Sequence, residues 1–210
     1  LPLIIFLLLP LLLLLIFLHV ATLSFTHLGL SPNGAVLFLT ASVLGSMINI
    51  PLSRRQVAIS PRRLLPFPFY FFYYPPVVNK QTIYFNVGGA GLPVIFSFYL
   101  LFTRSPFLPA FLGIIVVAIV AKLVARSVQG VGIVMPAFIP PIAAAAVALI
   151  LAPAQAAPVA YIAGTLGTLI GADLLNWRKI QSLGAQAVSI GGAGIFDGIF
   201  LVGIVAAFLG

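Results

Sequence analysis

Seven apolar runs, near 2–24, 33–50, 86–103, 107–121, 131–151, 158–175 and 188–209, divide this chain almost from end to end. A helix crosses the hydrocarbon of a bilayer with about 20 apolar residues. Inside lipid the backbone must satisfy its own hydrogen bonds, which restricts such runs to helices. With 62% hydrophobic and only 6% charged residues, against about 25% charged in soluble domains, a water-soluble globule is excluded. The expected fold is an all-α, polytopic transmembrane bundle of about seven spans. Its 210 residues form one transmembrane domain, 1–210, with no room for a sizeable soluble one.

The cations set the expected orientation. Arg54, Arg55, Arg62, Arg63, Lys80, Lys122, Arg126, Arg178 and Lys179 follow the second, fourth and sixth runs, and Arg104 stands alone after the third. Cytoplasmic loops gather Lys and Arg, so the N-terminus is expected inside and the C-terminus outside. The net charge of +8 therefore serves orientation at a lipid bilayer, and nucleic acid is not an expected partner. Residues 51–84 become a cytoplasmic loop, basic and aromatic, whose Pro66–Pro76 run suits a headgroup-level anchor. Leu3–Leu18 reads as a retained span, lacking the basic start and cleavage site of a signal peptide. Ser31 and Pro32 form a cap and first turn for the second span. Gln129–Pro136 and Pro140-Pro141 break the fifth. The absence of Cys excludes disulfides and thiolate metal sites.

A parallel internal repeat is also visible. Asn86-Val-Gly-Gly-Ala-Gly91 recurs as Ser189-Ile-Gly-Gly-Ala-Gly194. Each opens an outward-running span after a basic loop, and each loop follows a span ending in Gly-small-x-x, with Asn49 and Asn176 close behind. Transporters are often built on such repeats.

Both acids of the chain, Asp173 and Asp197, lie in apolar Gly-rich runs. An ionised Asp at a bilayer centre costs about 2.5–3.5 kcal/mol, so each is expected to face the bundle interior. As a pair they are the candidate catalytic residues. Asn176 shares the side of Asp173, while Ala193, Gly194 and Phe200 flank Asp197 as binding or supporting residues. Gly164, Gly167 and Gly171 form a small-residue stripe for close helix packing. His19 and His27 are hydrogen-bonding side chains first and haem or pigment ligands second. No metal site and no particular cofactor follows from these residues.

Gly-Ala-Asp173 and Phe-Asp197-Gly-Ile-Phe200 resemble the paired motifs of intramembrane aspartyl proteases, the presenilin and signal-peptide-peptidase class. That resemblance implies two carboxyls sharing one proton, one activating water and the other protonating the leaving group. Over a longer stretch, Gly-Val-Gly-Ile-Val-Met-Pro-Ala-Phe-Ile-Pro-Pro141, Gly164-Thr-Leu-Gly-Thr-Leu-Ile-Gly-Ala-Asp-Leu-Leu-Asn176 and Ser-Ile-Gly-Gly-Ala-Gly-Ile-Phe-Asp-Gly-Ile-Phe-Leu201 are similar to a prokaryotic family of polytopic membrane proteins of unknown function. This likeness implies a multi-pass fold in a prokaryotic cytoplasmic membrane, and no activity. Three functions stay open: an accessory or structural subunit beside other membrane subunits, an aspartyl-protease-like enzyme, and an ion- or proton-coupled transporter.

Overall fold

A computed structural model of the chain describes residues 2–59, 77–128, 131–182, 185–192, 201–202 and 205. Helix α1 (Pro2–His27) and helix α2 (Pro32–Ser46) meet at a sharp turn. Gly29 supplies the left-handed residue there, with φ +94°. The Ser31 side chain accepts a hydrogen bond from Gly34 N at 3.1 Å and Pro32 fills the first turn, the start that those two residues predict. Beyond α2 come strand β1 (Asn49–Ile59), strand β2 (Val77–Asn86), a π-helical turn (Val87–Gly91) and helix α3 (Leu92–Thr103). Helix α4 (Phe107–Val124) precedes a small hairpin of β3 (Arg126–Val128) and β4 (Gly132–Val134), then helix α5 (Ile139–Leu151).

One long helical run, Pro153–Gln181, follows. It comprises a 3-10 turn (Pro153–Gln155), α6 (Ala156–Thr168), a π-helical turn (Leu169–Asp173), a second 3-10 turn (Leu174–Asn176) and the start of α7 (Trp177–Ser182). Strand β5 (Ala187–Ile190) comes next.

The architecture corrects two expectations. The chain is mostly helical but not all-α, because β1, β2 and β5 form a sheet in that order. The ends of the expected 51–84 loop are β1 and β2, paired antiparallel from Asn49↔Asn86 to Ile59↔Val77. Pro51 fits because β1 is an edge strand, where a missing N–H costs no ladder bond. The Pro66–Pro76 run lies outside the described residues. β5 joins β2 in parallel, from Thr82↔Ala187 to Phe85↔Ile190, so the expected seventh span opens as a strand.

The count of spans is the second correction. Among the described residues, Phe107–Val124 and Pro153–Gln181 are long and apolar enough to cross a membrane, and a third span arises if the α1–α2 pair, bent by 119°, counts as one. The segments Val87–Thr103 and Ile139–Leu151 are shorter apolar helices. Pro136, Pro140 and Pro141 postpone α5 to Ile139, well inside the expected fifth span.

Helix α6 forms the centre, with α3, α4 and α5 packed around it. Size, not polarity, tells its neighbours' inner face from their outer one. On α4 the buried residues are Ala110, Gly113, Val117, Ala118 and Ala121, while Phe107, Leu108, Phe111, Ile119 and Leu123 are exposed. An apolar outer face with a small-residue inner one is the pattern of helices that pack within lipid. At one end of the bundle Phe25, Phe38, Phe96 and Tyr161 form an aromatic cluster, with ring centroids 4.9–6.0 Å apart. The sheet lies at the other end.

Candidate binding site

The strands of the sheet feed two glycine-rich turns, and the site is built where those turns meet. Asn86, the last residue of β2, caps the helix that follows: its Oδ1 accepts from Gly89 N at 2.6 Å. Its Nδ2 donates to Ser46 O at 2.7 Å and to Asn49 Oδ1 at 3.1 Å, which ties the end of α2 and the start of β1 to the same point. Ser189 on β5 donates from Oγ to that same Asn49 Oδ1 at 3.0 Å. One asparagine oxygen thus gathers protons from both copies of the repeated motif.

These turns interlock at backbone distance. A Cβ on Gly89 would stand 2.3 Å from Gly191 O, and one on Gly191 would stand 2.8 Å from Ala90 N. Gly191 and Gly192 have φ +85° and +71°, a left-handed pair that residues with a Cβ adopt at a cost. Asp173 closes the arrangement, its Oδ2 accepting from Gly191 N at 3.2 Å. The carboxyl stands at the end of the π-helical turn Leu169–Asp173. Such turns interrupt the regular helix ladder and often mark functional positions.

Between these groups lies a cavity of about 720 Å³. Ser46, Asn49, Tyr84, Asn86, Asp173 and Ser189 line it with polar groups, and Val131 and Ile133 of the β3–β4 hairpin with Val188 line it with apolar ones. Asp173 is the one charged residue among the described residues of the lining. About 30 Å of helix at 1.5 Å per residue separates it from Pro153, which puts it at the sheet end of the bundle.

Asn176 is nearby but has a separate task. Its side chain is 2% exposed, and Nδ2 donates to Gly171 O at 3.3 Å and Ala172 O at 2.9 Å. These are carbonyls of the π-helical turn. Its Oδ1 accepts from Lys122 Nζ at 2.9 Å, and Lys122 also donates to Leu175 O. The arrangement secures α4 to the irregular end of the long helical run. Asn176 therefore does not line the cavity with Asp173.

The glycine stripe lies against two partners. A Cβ on Gly167 would meet Val117 Cβ at 2.7 Å, and one on Gly171 would meet Ala118 O at 2.2 Å, so both press on α4. Gly164 instead faces Val202, with Cγ1 at 2.4 Å from the corresponding position. Asp197, Ala193, Gly194 and Phe200 lie outside the described residues. His19 and His27 are exposed on α1. Among the described residues no group of three or more His, Cys, Asp or Glu comes together.

Tyr84, Asn86 and Ser189 were absent from the expected site. The available signal was the place of Asn86 and Ser189, each two residues before a Gly-Gly-Ala-Gly, where Asn86, the last residue of β2, caps the helical turn it enters.

No curated protein and no solved structure matches this chain, and no similarity to intramembrane aspartyl proteases is shown. The model of a family described as protein of unknown function (DUF1614) matches residues 43–209, a stretch that contains the sheet, both glycine-rich turns and Asp173, and the chain belongs to that family.

Proposed function

We propose that this chain is a multi-pass protein of a prokaryotic cytoplasmic membrane that moves a small solute in exchange for protons, with Asp173 as the proton carrier. The observation that carries this reading is the position of Asp173. Its carboxyl lines a cavity and holds Gly191, the glycine at which the two copies of the repeated motif touch. In this reading the chain is one transmembrane domain built on a parallel repeat. The N-terminus and the 51–84 segment are cytoplasmic, and the cavity faces the cytoplasm.

The coupling follows from bond strength. A hydrogen bond to an ionised carboxylate contributes about 1.5–3 kcal/mol, against about 1 kcal/mol for a neutral one. Protonating Asp173 weakens its hold on Gly191, and a glycine pair with positive φ is a ready pivot between the repeats. Proton occupancy then biases how the two repeats sit around the solute, which is the requirement for coupled exchange.

Inside-out vesicles energised to an acidic interior, carrying an acridine dye, test this. Solutes are added from a panel of small cations, anions and neutral molecules. At least one is expected to dissipate the pH gradient in wild-type vesicles, with the response lost in Asp173→Asn vesicles containing equal protein. If no solute separates the two, the exchange reading falls. A stable association with other membrane subunits, unchanged by Asp173→Asn, would then favour the accessory-subunit role.

A further inference from the structure

We infer that the β1–β2 pair holds the headgroup of an anionic phospholipid, with its phosphate between Arg54 and Lys80. Its occupancy does not depend on what the cavity carries. Directly paired residues share a face of a sheet, and alternate residues along a strand return to that face. Arg54 pairs with Thr82 and Gln56 with Lys80, so these four side chains stand on one face. Arg55 and Gln81, the pair between them, belong to the other face, where Arg55 donates to Gln181 and Gln81 to Ile180 O. Arg54 and Lys80 are diagonal neighbours, about 7–8 Å apart at Cα, a gap that two long side chains can close on one phosphate. The guanidinium fork and the ammonium bring donors only, which suits phosphate oxygens.

These two cations are available for a ligand. Lys122 is on Asn176 and the Leu175 carbonyl, Arg55 on Gln181 and Arg104 on Gly29 O. Arg54 and Lys80 are exposed, and among the described residues neither side chain makes a hydrogen bond or ion pair. Like charges side by side on a sheet destabilise it, and the whole chain contains only two acids. An anion brought from outside turns that repulsion into attraction. Orientation in a membrane depends on how many cations a loop carries; it does not require two of them in register on one face.

The approach to the pair points to a lipid as the source of the anion. Met47, Ile48, Ile50 and Leu52 are exposed, a run of large apolar side chains suited to acyl chains. Phe85 and Tyr84, both half-buried, pair with Ile50 and Pro51, an aromatic level of the kind found where hydrocarbon meets headgroups. Just past the irregularity between Pro51 and Ser53 come Arg54 and Lys80. The end of the long helical run repeats the order: Leu174 and Leu175 exposed, Trp177 half-buried, Arg178 exposed. Apolar, aromatic and then cationic is the profile of a bilayer from its core to its anionic surface, where Lys and Arg are attracted. A dissolved anion would need the cations without the apolar residues that lead to them.

Native mass spectrometry of the full chain, released from detergent micelles during titration with phosphatidylglycerol or phosphatidylcholine of equal chain length, tests this. Phosphatidylglycerol is expected to bind more tightly, and its affinity to fall about fivefold in Arg54→Gln or Lys80→Gln and at least about tenfold in the double variant. Both side chains are exposed, so these variants should keep the wild-type circular dichroism, and Arg54→Lys should retain most of the binding. Arg126→Gln with Arg178→Gln removes the same charge from two other exposed positions and should leave the affinity within about twofold. Equal binding of the two lipids, wild-type affinity in the Arg54 and Lys80 double variant, or an equal loss in the Arg126 and Arg178 variant overturns the inference. So does displacement of the lipid by an equal concentration of dissolved glycerol phosphate, which makes the ligand a free phosphate, or of an oligoglutamate, which makes it an acidic peptide.

Discussion

Single residues carry much of the packing here, because helices without polar outer faces are held together by close approach. Gly171 is the sharpest case, since a Cβ there would stand 2.2 Å from the backbone oxygen of Ala118. Backbone cannot swing aside as a side chain can. Gly171→Ala should therefore cost about 1–3 kcal/mol, the usual range for overpacking, seen as a lower thermal midpoint in detergent micelles. An unchanged midpoint would mean that α4 and the long helical run do not approach so closely. Asp173 and Asn176 were legible in the sequence, because polar groups within apolar runs demand an explanation. Their partners were not. Asp173 bonds to Gly191 N, and Asn176 to two carbonyls and Lys122; backbone groups leave no mark in composition or spacing.

The sheet decides what the helices can do, and it was the least legible part of the chain. Val188-Ser-Ile190 is a short apolar stretch that periodicity cannot assign between a buried strand and a helix. Pro51 argues against a strand in any position but an edge. What identifies β5 is its neighbour β2, more than a hundred positions earlier, and that pairing depends on tertiary structure. The chain has no cysteine, so the register can be tested by introducing two. Thr82→Cys with Ala187→Cys places the thiols on directly paired residues, where the Cα separation suits a disulfide. Mild oxidation should crosslink this pair faster than Thr82→Cys with Ser189→Cys, two positions out of register. Equal rates would remove the parallel pairing.

At the scale of the whole molecule, the two ends of the bundle differ in charge and in construction. Arg104 donates to Gly29 O at 3.4 Å, joining the end of α3 to the α1–α2 turn. At the other end Gln81 donates to Ile180 O at 2.8 Å and Arg55 to Gln181, joining the sheet to α7. If the basic end is cytoplasmic, an impermeant thiol reagent applied to intact cells should label Arg104→Cys and spare Arg54→Cys and Arg178→Cys. The opposite pattern would invert the topology, and labelling at both ends would remove it. The helical content and the apolar outer surface were legible from composition. The number of spans was not, because the breaks at Gly29, Met47 and Ala152 and the delayed start of α5 depend on turn geometry within apolar sequence.

The position of β2 between β1 and β5 also sets a timetable for biosynthesis. β1 and β2 can pair as soon as both have left the ribosome, but the other edge of β2 waits for β5. At about 5–20 residues per second, roughly a hundred intervening residues take about 5–20 s to make. Throughout that interval a strand with unpaired backbone groups stands at the mouth of a half-built bundle, open to pairing with a second nascent chain. The last-made part of the sheet is therefore also the part that protects the first, and a chain stopped before Ala187 keeps that edge uncovered.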